Sequence, residues 1–269
     1  MMPLALGVLL EALKITGFVF AMMVIVDLLN VATKGRFKPG MQGGVWRQYL
    51  IASFLGATPG CLGAFVNVSL YVHGGLTFGA MVAGMIATSG DEQFVMLALF
   101  PGQAMLLFAL LFAMGILFGW LTDLIAPRLN IRACEGCRLD GYHPEEASSR
   151  HYWGHHIWEH IARVHLWRVF LWTFGALLLA RIGLHYWDLK EFVAAHMVWV
   201  LLLSGLVGVI PESGPHLIFV MLFAEGVAPF SVLFTISFVQ DGHGLLPLLS
   251  YTVKDTMLIK VFSLVFGRG

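Results

Sequence analysis

Two stretches of the chain repeat each other at a constant distance of 152 positions, and each carries charge within otherwise apolar sequence. Residues 56–93 end in Ser89-Gly90-Asp91-Glu92-Gln93, and residues 208–243 end in Gln240-Asp241-Gly242-His243. Glycine and proline interrupt both copies at matching positions, as at Pro59 and Pro211. Duplicated apolar halves broken by Gly and Pro are typical of secondary transporters, whose site lies where the breaks converge.

Composition places the chain in the membrane. Of its 269 residues, 58% are hydrophobic and 12% are charged, whereas soluble domains carry about 25% charged residues. We therefore predict an all-α polytopic membrane protein that crosses the lipid bilayer of the inner (plasma) membrane several times. A net charge of zero gives no reason to expect a nucleic-acid partner. The sequence has no nucleophile elbow, P-loop, dinucleotide fingerprint or HExxH motif, so we predict that it is not an enzyme.

Most apolar segments are shorter than the roughly 20 residues that a spanning helix needs. Because backbone polar groups at membrane depth must be satisfied internally, we predict broken or re-entrant half-helices. We count about five segments per half. Because an odd number of segments gives the second copy the opposite orientation in the membrane, we predict two inverted repeats. The predicted divisions are a first repeat at 1–126, a Cys/His-rich loop at 127–165 and a second repeat at 166–269. The positive-inside rule places that loop in the cytoplasm.

The mirrored acidic breaks are the candidate site. A carboxylate deep in the bilayer is costly unless it is paired or hydrated. Divalent cations choose oxygen ligands, and imidazole shifts the preference towards manganese or zinc. The predicted ion-binding residues are Asp91, Glu92, Ser89, Gln93, Gln240, Asp241, His243, Glu212, Asn67 and Asp27. The alternatives are a solvated loop for the acidic breaks and a capped helix end for Asp27.

Two further groups of residues are candidates. Lys254 and Asp255 adjoin the second acidic break, where they either neutralise each other or supply counter-charge to the ion site. The central loop holds a CxxC and two i, i+4 histidine pairs, which resembles zinc-site spacing; its candidate ligands are Cys134, Cys137, His151, His155, His156 and His160. The alternative is a polar loop with chance histidines. No cofactor is predicted to be required, although zinc in this loop is one reading.

Several of these motifs resemble one family. The stretch 205–220, with Pro211, and the run 229–242 are similar to motifs of the ten-transmembrane heavy-metal exporters, whose members are described as manganese transporters or arsenic efflux proteins. The stretch 88–98 resembles that family's first-half motif, and 27–30 resembles its first-helix acid and asparagine. The chain departs from the pattern at His243, where an acid is expected, and at Glu212, where glycine is common.

The predicted function is a secondary transporter that exports a divalent transition-metal ion, manganese before others, with proton exchange as the predicted coupling. Two alternatives stay open. One is transport of an anion or organic metalloid, because half-helix N-termini favour anions. The other is a membrane metalloenzyme that uses the His/Cys cluster. The divalent metal is the predicted partner, and a homodimer is one assembly that the prediction allows.

Overall fold

The structure is a computed structural model, and it describes residues 6–10, 12–17, 20–21, 44–72, 74–129, 167–186, 189–211, 213–242 and 244–267. Within these ranges the chain is helical and contains no strand. The prediction of an all-α protein is therefore confirmed for the described part of the chain.

Twelve helices with defined bounds follow a short N-terminal helical stretch at 6–10, 12–17 and 20–21. In the first half they are α1 Val45–Gly56, α2 Leu62–Val72, α3 Phe78–Ala87, α4 Glu92–Leu99 and α5 Pro101–Ile125, followed by the 3₁₀ turn Ala126–Leu129. In the second half they are α6 Trp167–Tyr186, α7 Leu189–Ala195, α8 Met197–Gly208, α9 Ser213–Ala224, α10 Phe230–Val239, α11 Leu246–Tyr251 and α12 Val253–Phe266.

The helix bounds follow the sequence repeat. A shift of 152 positions carries both ends of α1 onto those of α8 and both ends of α3 onto those of α10. The turns between helices follow it too. Gly74 and Gly226 have φ of 73° and 66°, and Gly90 and Gly242 have φ of 57° and 52°. Glycine adopts this left-handed region at no steric cost, so the sequence ends its short helices at the same places in both copies.

The packing between helices repeats as well. Helix α3 packs against α1 and α5, and α10 packs in the same way against α8 and α12. Contacts across the halves are exchanged: α9 packs on α4, its counterpart α2 packs on α11, and α3 contacts α10. Every residue of α3 is buried, as expected for a helix that is apolar all round. The two short central helices therefore form the core that holds the breaks.

Length and apolar composition together separate one helix from the rest. With 25 residues, α5 is about 38 Å long at roughly 1.5 Å per residue, enough for the roughly 30 Å hydrocarbon layer. Within the described ranges, the helical stretch Pro101–Arg128 is the one that is both long and apolar enough to span a membrane. Helices α8, α9 and α10 are apolar but shorter than a span. They have the length of half-helices.

Candidate functional site

The two acidic breaks meet at a pair of glycines. Gly90 follows α3 and Gly242 follows α10, and a β-carbon built on either one would lie 3.2 Å from the α-carbon of the other. The approach is reciprocal, which places equivalent points of the two copies back to back. The polar segments that the sequence sets 152 positions apart are therefore neighbours in the buried interior.

Each break is stabilised by a side chain two residues before its glycine. The amide of Gly90 donates to Thr88 Oγ1 at 3.3 Å, and the amide of Gly242 donates to Gln240 Oε1 at 2.9 Å. Thr88 and Gln240 occupy equivalent positions in the repeat. In addition, the amide of Gly60 donates to the Gly90 carbonyl at 3.3 Å. The chain thus forms the same polar turn twice, with left-handed glycines that a β-carbon would strain.

A thiol and a hydroxyl lie beside the glycine pair. Ser213 Oγ lies 3.3 Å and 3.2 Å from the β-carbon positions of Gly90 and Gly242, and Cys61 Sγ lies 3.9 Å from that of Gly90. The Cys61 thiol also donates to Asp91 Oδ1 at 3.6 Å. Cys61 and Ser213 are repeat equivalents. Cys61 was not among the predicted site residues; its position 152 residues before Ser213 was the available signal.

Glu92 is paired with a histidine from the other half. Both side chains are fully buried, and His216 Nδ1 lies 3.0 Å from Glu92 Oε1. His216 Nε2 lies 3.0 Å from the Val207 carbonyl. A carbonyl can only accept, so Nε2 carries a hydrogen, and the bond between Nδ1 and Oε1 contains one proton. Sequence reasoning did not single out His216, which lies inside an apolar helix.

The repeat mates of Glu92 and His216 also contact each other, and their contact is apolar. The repeat mates of Glu92 and His216 are Gly244 and Ala64. A β-carbon on Gly244 would lie 2.6 Å from that of Ala64. The fold therefore makes this contact twice, and only one of the two copies carries ionisable groups.

Asp241 is paired with a buried lysine. Lys260 Nζ donates to Asp241 Oδ1 and to the Gly208 carbonyl at 3.2 Å. Lys260 is 6% exposed and Asp241 is 2% exposed. Lys254, the lysine that the sequence predicted as a source of compensating charge, is exposed. Its neighbour Asp255 is buried and accepts a hydrogen bond of 2.8 Å from Tyr71.

Several buried polar atoms at the breaks have no hydrogen-bond partner within the described part of the protein. They are Ser89 Oγ, Glu92 Oε2, Gln93 Nε2 and Oε1, Ser213 Oγ, Gln240 Nε2 and Asp241 Oδ2. A buried polar group without a partner costs about 1–3 kcal/mol. Such groups persist at functional sites, where water or a bound polar species satisfies them. Their concentration at the two breaks is a sign of a binding site.

Metal-ligating side chains do not form a complete set here. Among the residues that the structure describes, no three His, Cys, Asp or Glu side chains are grouped so as to hold a metal ion. Asp91, Glu92 and Asp241 each have a partner nearby, in Cys61, His216 and Lys260 respectively. A cation at the breaks would therefore need amide and hydroxyl oxygens, or residues outside the described ranges.

The remaining predicted residues divide into two groups. Asn67 is buried, donates to the Ala52 carbonyl at 2.9 Å and leaves Oδ1 without a partner within the described residues; it connects α2 to α1. The others lie outside the described residues: Asp27, Glu212, His243, Cys134, Cys137, His151, His155, His156 and His160. Of the predicted loop at 127–165, residues 130–165 likewise lie outside the described ranges.

Comparison with known proteins gives one match. The family model described as "Putative, 10TM heavy-metal exporter" matches residues 8–182 and 143–266. No curated protein and no solved structure matches the chain. The two matched regions together extend over nearly the whole sequence, and the resemblance that the break motifs indicated is confirmed.

Proposed function

Since the chain belongs to the family described as "Putative, 10TM heavy-metal exporter", and is thus a membrane protein of a transporter family, we propose that it exports a divalent transition-metal ion. Manganese is the first choice of cargo and the inner membrane is the proposed location. In this proposal the chain is a secondary transporter rather than an enzyme.

The observation that carries the proposal is the contact between Gly90 and Gly242. It joins two polar breaks, each at the end of a short apolar helix, in the buried interior. Transporters with broken helices bind their cargo at such a junction. The exchanged packing, α9 on α4 and α2 on α11, supports two repeats related by a two-fold axis. An odd number of segments per half, as the sequence predicts, would invert the second copy.

The proposed ligands are oxygen-rich with a soft component. Asp91 and Asp241 supply carboxylates, and Ser89, Gln93 and Gln240 supply hydroxyl and amide groups. The Cys61 thiol near Asp91 favours a transition metal over calcium or magnesium. Proton exchange is the proposed coupling, because metal binding displaces protons from its ligands, and the Glu92–His216 bond already holds one proton between the halves.

A second candidate cargo has one observation in its favour. The buried ammonium of Lys260 and the histidine at Glu92 bring positive charge into the site, as an anion or oxyanion of a metalloid would require. Acidic groups outnumber these basic groups at the breaks, so the cation is our first choice. Transport assays with arsenite beside the metal ions discriminate between the two.

The test is transport by purified protein in proteoliposomes, with manganese, zinc, cobalt, calcium and arsenite as separate cargoes. We expect manganese transport, and we expect the double variant Asp91→Asn with Asp241→Asn to lose it at least about tenfold, since charged ligands become neutral. Glu191→Gln, which neutralises an exposed carboxylate on α7, is the control. A folded double variant that transports at the wild-type rate would refute the proposal, as would a wild type that moves arsenite and no cation.

A further inference from the structure

Lys260 presents a buried ammonium between the second acidic break and α8. Its nitrogen contacts Asp241 Oδ1 and the Gly208 carbonyl, and 6% of the residue is exposed. An unpaired ammonium at this depth would be very costly, and the contact with Asp241 offsets that cost. The two groups therefore neutralise each other in this conformation.

The fold itself does not require this lysine. The repeat mate of Lys260 is Phe108, an apolar, buried residue on α5. The first copy thus has a phenyl ring at the equivalent position of its sequence. Replacement of a buried ion pair by apolar groups is often neutral or stabilising, so structural stability alone does not account for a lysine at this position. A role in the transport cycle does.

The two carboxylate oxygens of Asp241 differ in their contacts. Lys260 binds Oδ1, while Oδ2 is buried and has no hydrogen-bond partner among the described residues. A cation arriving at the break would meet Oδ2 first and then compete with the ammonium for the carboxylate. The lysine side chain has a flexible four-carbon stem, so its ammonium can move away from Asp241 while the helix stays in place.

From this arrangement we propose that Lys260 is a tethered counter-ion, which neutralises Asp241 when no cargo is bound and is displaced by the arriving cation. This inference rests on the proposed function and deepens it. It assigns the step in which the transporter returns without metal. A bare carboxylate is costly at membrane depth, so the metal-free protein reorients with the ammonium in the place of the cargo at Asp241, whichever group of the site carries the exchanged proton.

The proposal separates two transport modes. Net efflux requires the metal-free protein to reorient towards the cytoplasm. Exchange of manganese for manganese, in contrast, keeps metal bound during reorientation in both directions. Loss of the ammonium therefore slows net efflux far more than exchange. A merely structural role would lower both rates together.

The experiment compares net efflux with manganese–manganese exchange in proteoliposomes for wild type, Lys260→Met and Lys260→Arg. We expect the ratio of net efflux to exchange to fall at least about tenfold in Lys260→Met, because an unpaired buried carboxylate must then move. Lys260→Arg keeps the charge and should restore most of the ratio. Lys254→Met, an exposed lysine on the same helix, is the matched control and should leave the ratio unchanged.

The outcomes are distinct. A Lys260→Met protein with the wild-type ratio overturns the inference, and so does a wild type that exchanges manganese but makes no net efflux. Should Lys260→Met not be recovered folded, Lys260→Gln, which keeps a donor for the Gly208 carbonyl, gives the same comparison, and the wild-type result still decides. A wild type that moves manganese in neither mode refutes the proposed function instead, and this inference falls with it.

Discussion

Gly90 and Gly242 approach so closely that the β-carbon of an alanine at either position would lie 3.2 Å from the α-carbon of the other. Both have positive φ, and they occupy equivalent positions in the two copies. The junction of the two halves is therefore formed by backbone, with no side chain between the two residues.

Substitution of Gly90 by alanine should disrupt this junction. The left-handed backbone alone costs a non-glycine residue about 1–2 kcal/mol, and the new methyl group also meets the Gly242 backbone. Gly74→Ala is the matched control, because Gly74 has the same positive φ and open space around its β-carbon position. We expect Gly90→Ala to lower the melting temperature and the transport rate more than Gly74→Ala does. Equal effects would mean that the contact between the copies is unimportant.

Removal of one member of the Glu92–His216 pair should destabilise the protein more than removal of both. His216→Leu leaves a buried carboxylate without its partner, and such a loss costs about 3–5 kcal/mol. In the double variant Glu92→Met with His216→Leu no charge is left unpaired, and replacement of a buried ion pair by apolar groups of similar volume is often neutral or stabilising. We expect a melting temperature close to wild type for the double variant. The two single variants complete a thermodynamic cycle, and additive effects would show that the pair is not coupled.

Selectivity should follow the Cys61 thiol. Thiolates bind soft and borderline ions such as zinc better than manganese. Cys61→Ser makes the first copy identical to the second at this position, since Ser213 is its repeat mate. We expect the zinc transport rate of Cys61→Ser to fall several-fold more than its manganese rate. Ser213→Cys, the reverse exchange at the second copy, should raise the zinc-to-manganese ratio. An equal fall in the zinc and manganese transport rates would show that Cys61 does not bind the transported ion.

The N-terminus of α3 should depend on Asp123. Its carboxylate accepts hydrogen bonds from the Gly79 amide at 2.7 Å, from Tyr49 at 2.8 Å and from Thr77. Hydrogen bonds to charged groups contribute about 1.5–3 kcal/mol each, so Asp123→Ala should destabilise the protein by at least about 2 kcal/mol. Tyr49→Phe removes one donor and should cost less. Thermal unfolding in detergent measures both, and an Asp123→Ala protein as stable as Tyr49→Phe would contradict the assignment.

Much of the scaffold could be read from the sequence. The constant shift of the repeat, together with Gly74, Gly90 and their mates, predicted short apolar segments, and the bounds of α3 and α10 coincide under that shift. Glycine and proline act locally, so their effect on the backbone is visible in one stretch of sequence. The polar character of the two breaks was predictable for the same reason.

The partners of the acids were not predictable. His216 and Lys260 lie within apolar helices and belong to no motif, and their mates Ala64 and Phe108 give no hint of charge. His216 reaches Glu92 across 124 positions only because α9 packs on α4. Such pairings depend on tertiary packing that a single sequence does not reveal. For this reason the sequence indicated Lys254, the lysine nearest the break along the chain, whereas Lys260 makes the contact with Asp241.

The hydrogen bonds at Asp123 have a further consequence for motion. They anchor the N-terminus of α3 to α5 and, through Tyr49, to α1. The residue that precedes α10 is Pro229, which provides no side-chain cap. The two helices have equal length and equivalent positions, but side-chain hydrogen bonds anchor the N-terminus of α3 and no side-chain cap is present at that of α10. If the halves rock against each other around the glycine junction, we expect α10 to tilt more readily than α3, so that the two equivalent helices would move by different amounts.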